Sequence, residues 1–236
     1  MKGAKQPMKK LPSFAKQIST FALGAIILYF ALAFMVLSDI GLTPYDSAIL
    51  TLGYLFNIEY GYACMAVGSL MLLIHILILK KKFPVRELLQ LIVIFGGGFL
   101  MNFFVYDLLA EIVLGSLFVR IIVFTAMVPL VAFGCLIIMN ADLMSTTLEG
   151  LSLTIAKKTH STLGIVRWIA DGFFLVVSIA LTLIFKLEWT IGIGTAIGFI
   201  LFSPMLDILK RPTLRFLRFI HMRTTFTKLE KANKIG

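Results

Sequence analysis

Two short stretches carry the residues best suited to chemistry. Thr43-Pro-Tyr-Asp46 and Thr146-Thr-Leu-Glu149 each place a hydroxyl three residues ahead of a carboxylate. One reading is structural: threonine as an N-cap, a residue suited to the first helical position, and an acid that returns to the cap's amide. The other puts both acids at the tips of broken helices, facing a polar cavity where they bind a solute, a cation or a proton. The sequence leaves both open, so Thr43, Asp46, Thr146 and Glu149 stand as candidates for substrate or ion binding.

A second pair lies inside an apolar run. Asp171 falls about two helical turns into it, roughly 10 Å along the axis, where an unpaired acid is costly. Arg167 is four residues earlier and shares its helical face. The pair is either a neutralised packing contact or a gating or coupling pair. Asp39, Asp107, Asp142 and Asp207 fall at the ends of apolar runs and read as solvated or helix-terminal carboxylates. His75 sits on an apolar stretch with no histidine in the matching half, which favours hydrogen-bonded packing over proton relay. Cys64 and Cys135 lie in apolar surroundings without metal-ligand spacing. No phosphate-binding loop, nucleophile elbow or zinc-protease signature is present, so no enzyme, cofactor or metal is expected.

The elements that position these residues are membrane helices. Of 236 residues, 59% are hydrophobic and 14% charged, and the mean hydropathy is +0.98. Water-soluble domains carry about 25% charged residues. Runs of about twenty apolar residues recur, the length that crosses a bilayer as helix. They predict six spans, near 19–37, 61–79, 88–106, 117–139, 164–185 and 190–208. Pro44–Phe56 and Thr146–Ala156 are too short to cross. With six spans, 20 of the 22 lysines and arginines share one side, leaving Arg120 and Lys186. That bias predicts a multi-pass bacterial plasma-membrane protein with both termini in the cytoplasm. The same distribution argues against nucleic acid as a partner and for the lipid bilayer.

The chain also repeats itself. An offset of 103 residues sets Asp39 on Asp142, Thr43 on Thr146, Asp46 on Glu149, Thr51 on Thr154 and Gly61 on Gly164. An offset of 100 sets Gly98 and Asp107 on Gly198 and Asp207. Three spans per copy, an odd number, invert the second copy relative to the first. The expected fold is therefore all-α and membrane-integral: two inverted three-span repeats, each with a short broken or re-entrant helix. Repeat one is 1–110, repeat two 111–209, and 210–236 a basic tail. Its Leu214-Arg-Phe-Leu-Arg-Phe pattern suits an interfacial helix on an anionic leaflet. Gly96-Gly97-Gly98, Gly194 and Gly198 give small-residue faces for close packing, within one protomer or in a homo-oligomer.

The stretch Gly41-Leu-Thr-Pro44-Tyr45-Asp46 after a first span resembles the YczE/YitT-like bacterial membrane proteins. The Gly-rich spans ending in acids, Gly96–Asp107 and Gly194–Asp207, add to the likeness. The chain lacks the soluble C-terminal domain of YitT-type members and is more similar to the shorter YczE type. The resemblance implies a bacterial membrane protein and names no substrate.

These observations point to a small secondary transporter or permease-like protein. It would move a small solute by alternating access, with Asp46 and Glu149 lining the site and Asp171 and Arg167 gating or coupling it. The competing reading is a non-transporting membrane partner, a substrate-binding subunit or a regulator of another complex.

Overall fold

The computed structural model describes residues 14–80, 83, 85–141 and 146–219. Among these residues there are eight α-helices, α1 (Phe14–Leu37), α2 (Pro44–Phe56), α3 (Tyr60–Leu79), α4 (Gln90–Asn102), α5 (Leu117–Asn140), α6 (Thr147–Thr159), α7 (Leu163–Phe185) and α8 (Ile193–Phe219). A 3-10 turn, Val85–Leu89, leads into α4, and a π-helical turn, Phe103–Leu108, follows it. Among the described residues, six helical stretches are long and apolar enough to cross a membrane, at Ala15–Leu37, Tyr60–Leu79, Glu87–Leu108, Leu117–Asn140, Leu163–Phe185 and Ile193–Leu217. The expected short segments form α2 and α6, each thirteen residues long.

Many outward-facing residues are large and apolar, among them Leu73 and Leu77 on α3, Ile92 and Phe99 on α4, and Ile169, Phe173 and Val176 on α7. Such a surface suits hydrocarbon rather than water. Trp168 and Trp189 are both substantially exposed near opposite ends of α7, as expected for anchors at the two membrane–water boundaries.

Helix α1 packs along α5, and α5 along α8; α3 pairs with α4, and α7 with α8. Helix α2 packs on α3 and α7, and α6 on α7 and α3. Each short helix thus touches a long helix of its own half and one of the other. Glycines set the closest crossings. A Cβ on Gly134 would lie 2.9 Å from the Leu28 backbone nitrogen, and one on Gly61 would lie 2.2 Å from the Gly98 carbonyl. With no hydrophobic drive between helices in lipid, such contact supplies the packing energy. Gly97, Gly98, Gly194 and Gly198 all meet neighbours in this way, whereas a Cβ on Gly96 would meet open space.

The two short helices repeat each other in backbone detail. Ser47 N–H donates to the Thr43 carbonyl at 2.7 Å, and Gly150 N–H to Thr146 at 2.9 Å. Ile58 N–H donates to Gly53 and Ser161 N–H to Ala156, both at 3.0 Å. The residues that end the helices, Asn57 (φ 52°) and His160 (φ 54°), are both left-handed, the C-terminal closure usually given to glycine. Each pair is separated by the 103 residues found in the sequence.

Three expectations are displaced. The sixth span begins at Ile193 because Thr190–Gly192 lies against the chain before α2: Leu42 N–H donates to the Thr190 carbonyl and Gly194 N–H to Ile40. Gly41 (φ +93°) permits this, since a Cβ there would lie 2.4 Å from the Gly192 nitrogen. At its other end α8 runs past residue 209 to Phe219, so the first ten residues assigned to a tail continue the helix. Thr213, Leu214 and Leu217 are buried, Leu217 against Ile137 of α5, while Arg211 and Arg215 face outward. The rest of that tail, 220–236, lies outside the described residues, as does Asp142. Arg167, counted with the basic loop, sits inside the bundle.

Candidate functional site

The capping boxes place their threonines as expected, but the side-chain bonds run another way. Thr43 and Thr146 precede the first residues of α2 and α6, and neither side chain caps a backbone amide. Instead the Thr43 hydroxyl donates to Asp46 Oδ2, and the Thr146 hydroxyl to Glu149 Oε2. A carboxylate buried away from water draws the nearest available proton donor. Asp46 has a second donor, the Tyr60 hydroxyl, which meets Oδ1 at 2.9 Å.

Glu149 has a different second partner. Arg167 donates through Nη1 to Glu149 Oε1 at 2.7 Å and through Nε to Asp171 Oδ2 at 3.2 Å. The spacing of four residues on α7 accounts for the Asp171 contact. The Glu149 contact joins α6 to α7. The guanidinium also lies 5.6 Å from the Tyr45 ring centre and 5.1 Å from that of Phe202, so two aromatic rings contribute cation–π attraction. Asp46, Glu149, Arg167 and Asp171 are 8%, 6%, 4% and 2% exposed. Among the described residues, Asp171 Oδ1 has no hydrogen-bond partner.

Thr43, Asp46, Thr146, Glu149 and Arg167 line one cavity of about 110 Å³. A water needs about 10–15 Å³ of such space, so there is room for several waters or a small solute. Its walls include Tyr29, Tyr45, Tyr60 and Phe202, together with both thiols, Cys64 and Cys135. Asp171 does not line it and reaches it only through Arg167. If all three acids were ionised, the four charged groups would carry two net negative charges in apolar surroundings. A cation or proton in the cavity would offset that charge.

The remaining acids are peripheral. Asp107 and Asp207 are exposed, and Asp39 pairs with Arg120 at 3.3 Å in an exposed contact of little energetic weight. Tyr60, Tyr45 and Phe202 were not distinguishable by sequence among the many apolar aromatics. Their signal was position alone: Tyr45 adjoins Asp46, and Tyr60 opens α3.

Two further polar clusters lie outside the cavity lining. In one, Thr51, Ser178 and Thr190 form a closed ring of buried hydroxyls, with separations of 2.9, 2.8 and 3.1 Å. In the other, at the basic end where α6 carries Lys157 and Lys158, His75 Nε2 lies 2.9 Å from the Thr154 hydroxyl and Nδ1 lies 3.3 Å from Glu87 Oε2. Thr51 and Thr154, Ser178 and His75, and Thr190 and Glu87 are each separated by the same 103 residues. At that offset His75 falls on a serine, so no second histidine marks the position.

No solved structure matches the chain. The protein "Uncharacterized protein YyaS" of Bacillus subtilis (strain 168) is 26% identical over 188 residues, covering 80% of this chain and 89% of that protein. Neither match carries the YczE/YitT label. The model of DUF6198, described as a family of unknown function, matches residues 15–211, and the chain belongs to that family.

Proposed function

We propose that this protein is a small secondary transporter of the bacterial plasma membrane, with both termini cytoplasmic, related to the YczE/YitT-like proteins. It moves a small solute by alternating access between two inverted three-span repeats, and no catalytic step is assigned to it. The observation that carries the proposal is the convergence of Thr43–Asp46 and Thr146–Glu149, from equivalent helix tips, on one cavity. Inverted-repeat transporters build their sites from such broken helices.

The packing pattern supports the repeat. Exchanging α1–α4 with α5–α8 turns α1–α4 contact into α5–α8, α2–α7 into α6–α3, α2–α3 into α6–α7, and α3–α4 into α7–α8. The cavity's size favours a small solute. Asp46 and Glu149 bind the solute or its coupling cation, and Arg167 holds Glu149 in place.

The test is solid-supported-membrane electrophysiology on reconstituted chain, screened against inorganic cations, amines and amino acids. Transport currents should disappear in Asp46→Asn and Glu149→Gln variants that still purify as monodisperse protein. Absence of any current, with a stoichiometric membrane partner recovered on purification, would replace this reading with that of a non-transporting subunit.

A further inference from the structure

We infer that His75 and Glu87 form a proton-binding site, separate from the cavity, that latches α6 to the rest of the bundle at its basic end. The His75 ring is 1% exposed and faces two oxygens: Thr154 of α6 on Nε2 and Glu87, in the turn before α4, on Nδ1. Nδ1 and Glu87 Oε2 are both buried, and among the described residues neither has a hydrogen-bond partner. Two such atoms 3.3 Å apart form a slot for a shared proton. One turn beyond Glu87, the Gln90 side chain is fully buried, and among the described residues neither amide atom has a hydrogen-bond partner.

The other cluster shows what the proton adds. There the three equivalent positions are Thr51, Ser178 and Thr190, a ring of hydroxyls that does not titrate near neutrality. A short helix, a crossing span and a connecting segment thus meet at both places, in a closed ring at one and through His75 alone at the other. Only the basic-end copy contains an imidazole and a carboxylate. Among the described residues, the charged neighbours there include Lys157, which acts on Glu87, and Lys158, whose ammonium donates to the Ile78 carbonyl at 3.1 Å. The Phe83 ring meets the imidazole edge-on at 5.6 Å.

A neutral imidazole has one N–H for its two oxygen neighbours. The Thr154 hydroxyl can turn to donate to Nε2, which leaves the Nδ1 proton for Glu87, a neutral donor facing a carboxylate. A second proton makes both ring nitrogens donors and converts the Glu87 contact to an ion pair, which is stronger. The added strength is present while the pair holds that proton and is lost as pH rises past its release. Acid therefore fastens α6, and alkali loosens it.

Spin labels at Leu77 and Thr159, exposed on α3 and α6, report the latch in a Cys64→Ala/Cys135→Ala background in lipid nanodiscs. Between about pH 5 and pH 8, the ratio of close to separated populations should fall about fivefold, the factor for an ion pair reduced to a bond from a neutral donor. His75→Gln keeps hydrogen-bonding capacity without titrating and should flatten the response. Distances that do not change with pH, or a response that survives His75→Gln, would overturn the site. No solute is needed, so a chain that transports nothing but retains the His75-dependent shift would leave this site standing.

Discussion

Arg167 reaches Glu149, eighteen residues earlier in the chain, with Nη1 2.7 Å from Oε1. This bond ties the tip of α6 to α7 from within the bundle, and the same guanidinium holds Asp171. Removing it strands two buried carboxylates. Arg167→Gln should lower stability by about 3–5 kcal/mol, the usual cost of breaking a buried ion pair from one side. Adding Glu149→Gln should recover part of that loss, because the double variant no longer buries an unpaired charge there. Thermal melting of the four proteins in detergent measures the cycle. Strictly additive losses would mean that the two side chains do not interact in the membrane-embedded protein.

Gly41 and Gly96 make opposite demands. Gly41 combines φ +93° with a Cβ position 2.4 Å from a neighbouring backbone nitrogen, whereas the Cβ position of Gly96 is open. Gly41→Ala should abolish monodisperse expression, since both backbone strain and a backbone clash oppose it. Gly96→Ala should fall within about 0.5 kcal/mol of the parent, as substitutions without new contacts do. Fluorescence-detected size-exclusion profiles of the two variants, compared side by side, decide the matter.

Much of this architecture could be read from the chain because membrane helices obey a strict length rule. The spans and the two short helices follow from runs of apolar residues and their interruptions. The aligned acids and threonines were legible because the residue type matches at the 103-residue offset, as at Asp46 and Glu149. It does not match at His75 and Ser178, so those clusters could not be read from residue type. The same holds for Arg167. Its spacing announced Asp171 but gave no hint of Glu149, which approaches from another helix. Side-chain direction at the capping boxes was also beyond reach, because whether a threonine hydroxyl accepts from an amide or donates to a carboxylate depends on how far the acid is buried.

Tyr60 gives Asp46 its second hydrogen bond, at 2.9 Å, from the first residue of α3. Tyr60→Phe keeps the ring and removes the hydroxyl, leaving a buried carboxylate oxygen without that donor. The expected cost is about 1–3 kcal/mol. In an Asp46→Asn background the same change should cost clearly less, because an uncharged amide demands less of its donor. Melting temperatures of the two singles and the double measure the coupling. Equal costs of Tyr60→Phe in both backgrounds would show that the hydroxyl stabilises α3 by another route.

Cys64 and Cys135 offer a native report on the cavity, since both line it and both are free thiols. Cys64 is partly exposed and Cys135 is buried. A small neutral reagent such as methyl methanethiolsulfonate should therefore modify Cys64 first and Cys135 more slowly, with intact mass rising in two resolved steps. Cys64→Ala should remove the fast step and leave the slow one. A reagent too bulky for a space of about 110 Å³ should react at neither site unless the bundle opens. Modification of both thiols by a bulky impermeant reagent applied from one side, in intact vesicles, would mean that the cavity opens widely to that side. Complete resistance to the small reagent would mean that the space is closed and does not exchange its contents, which would remove the physical basis for transport through it.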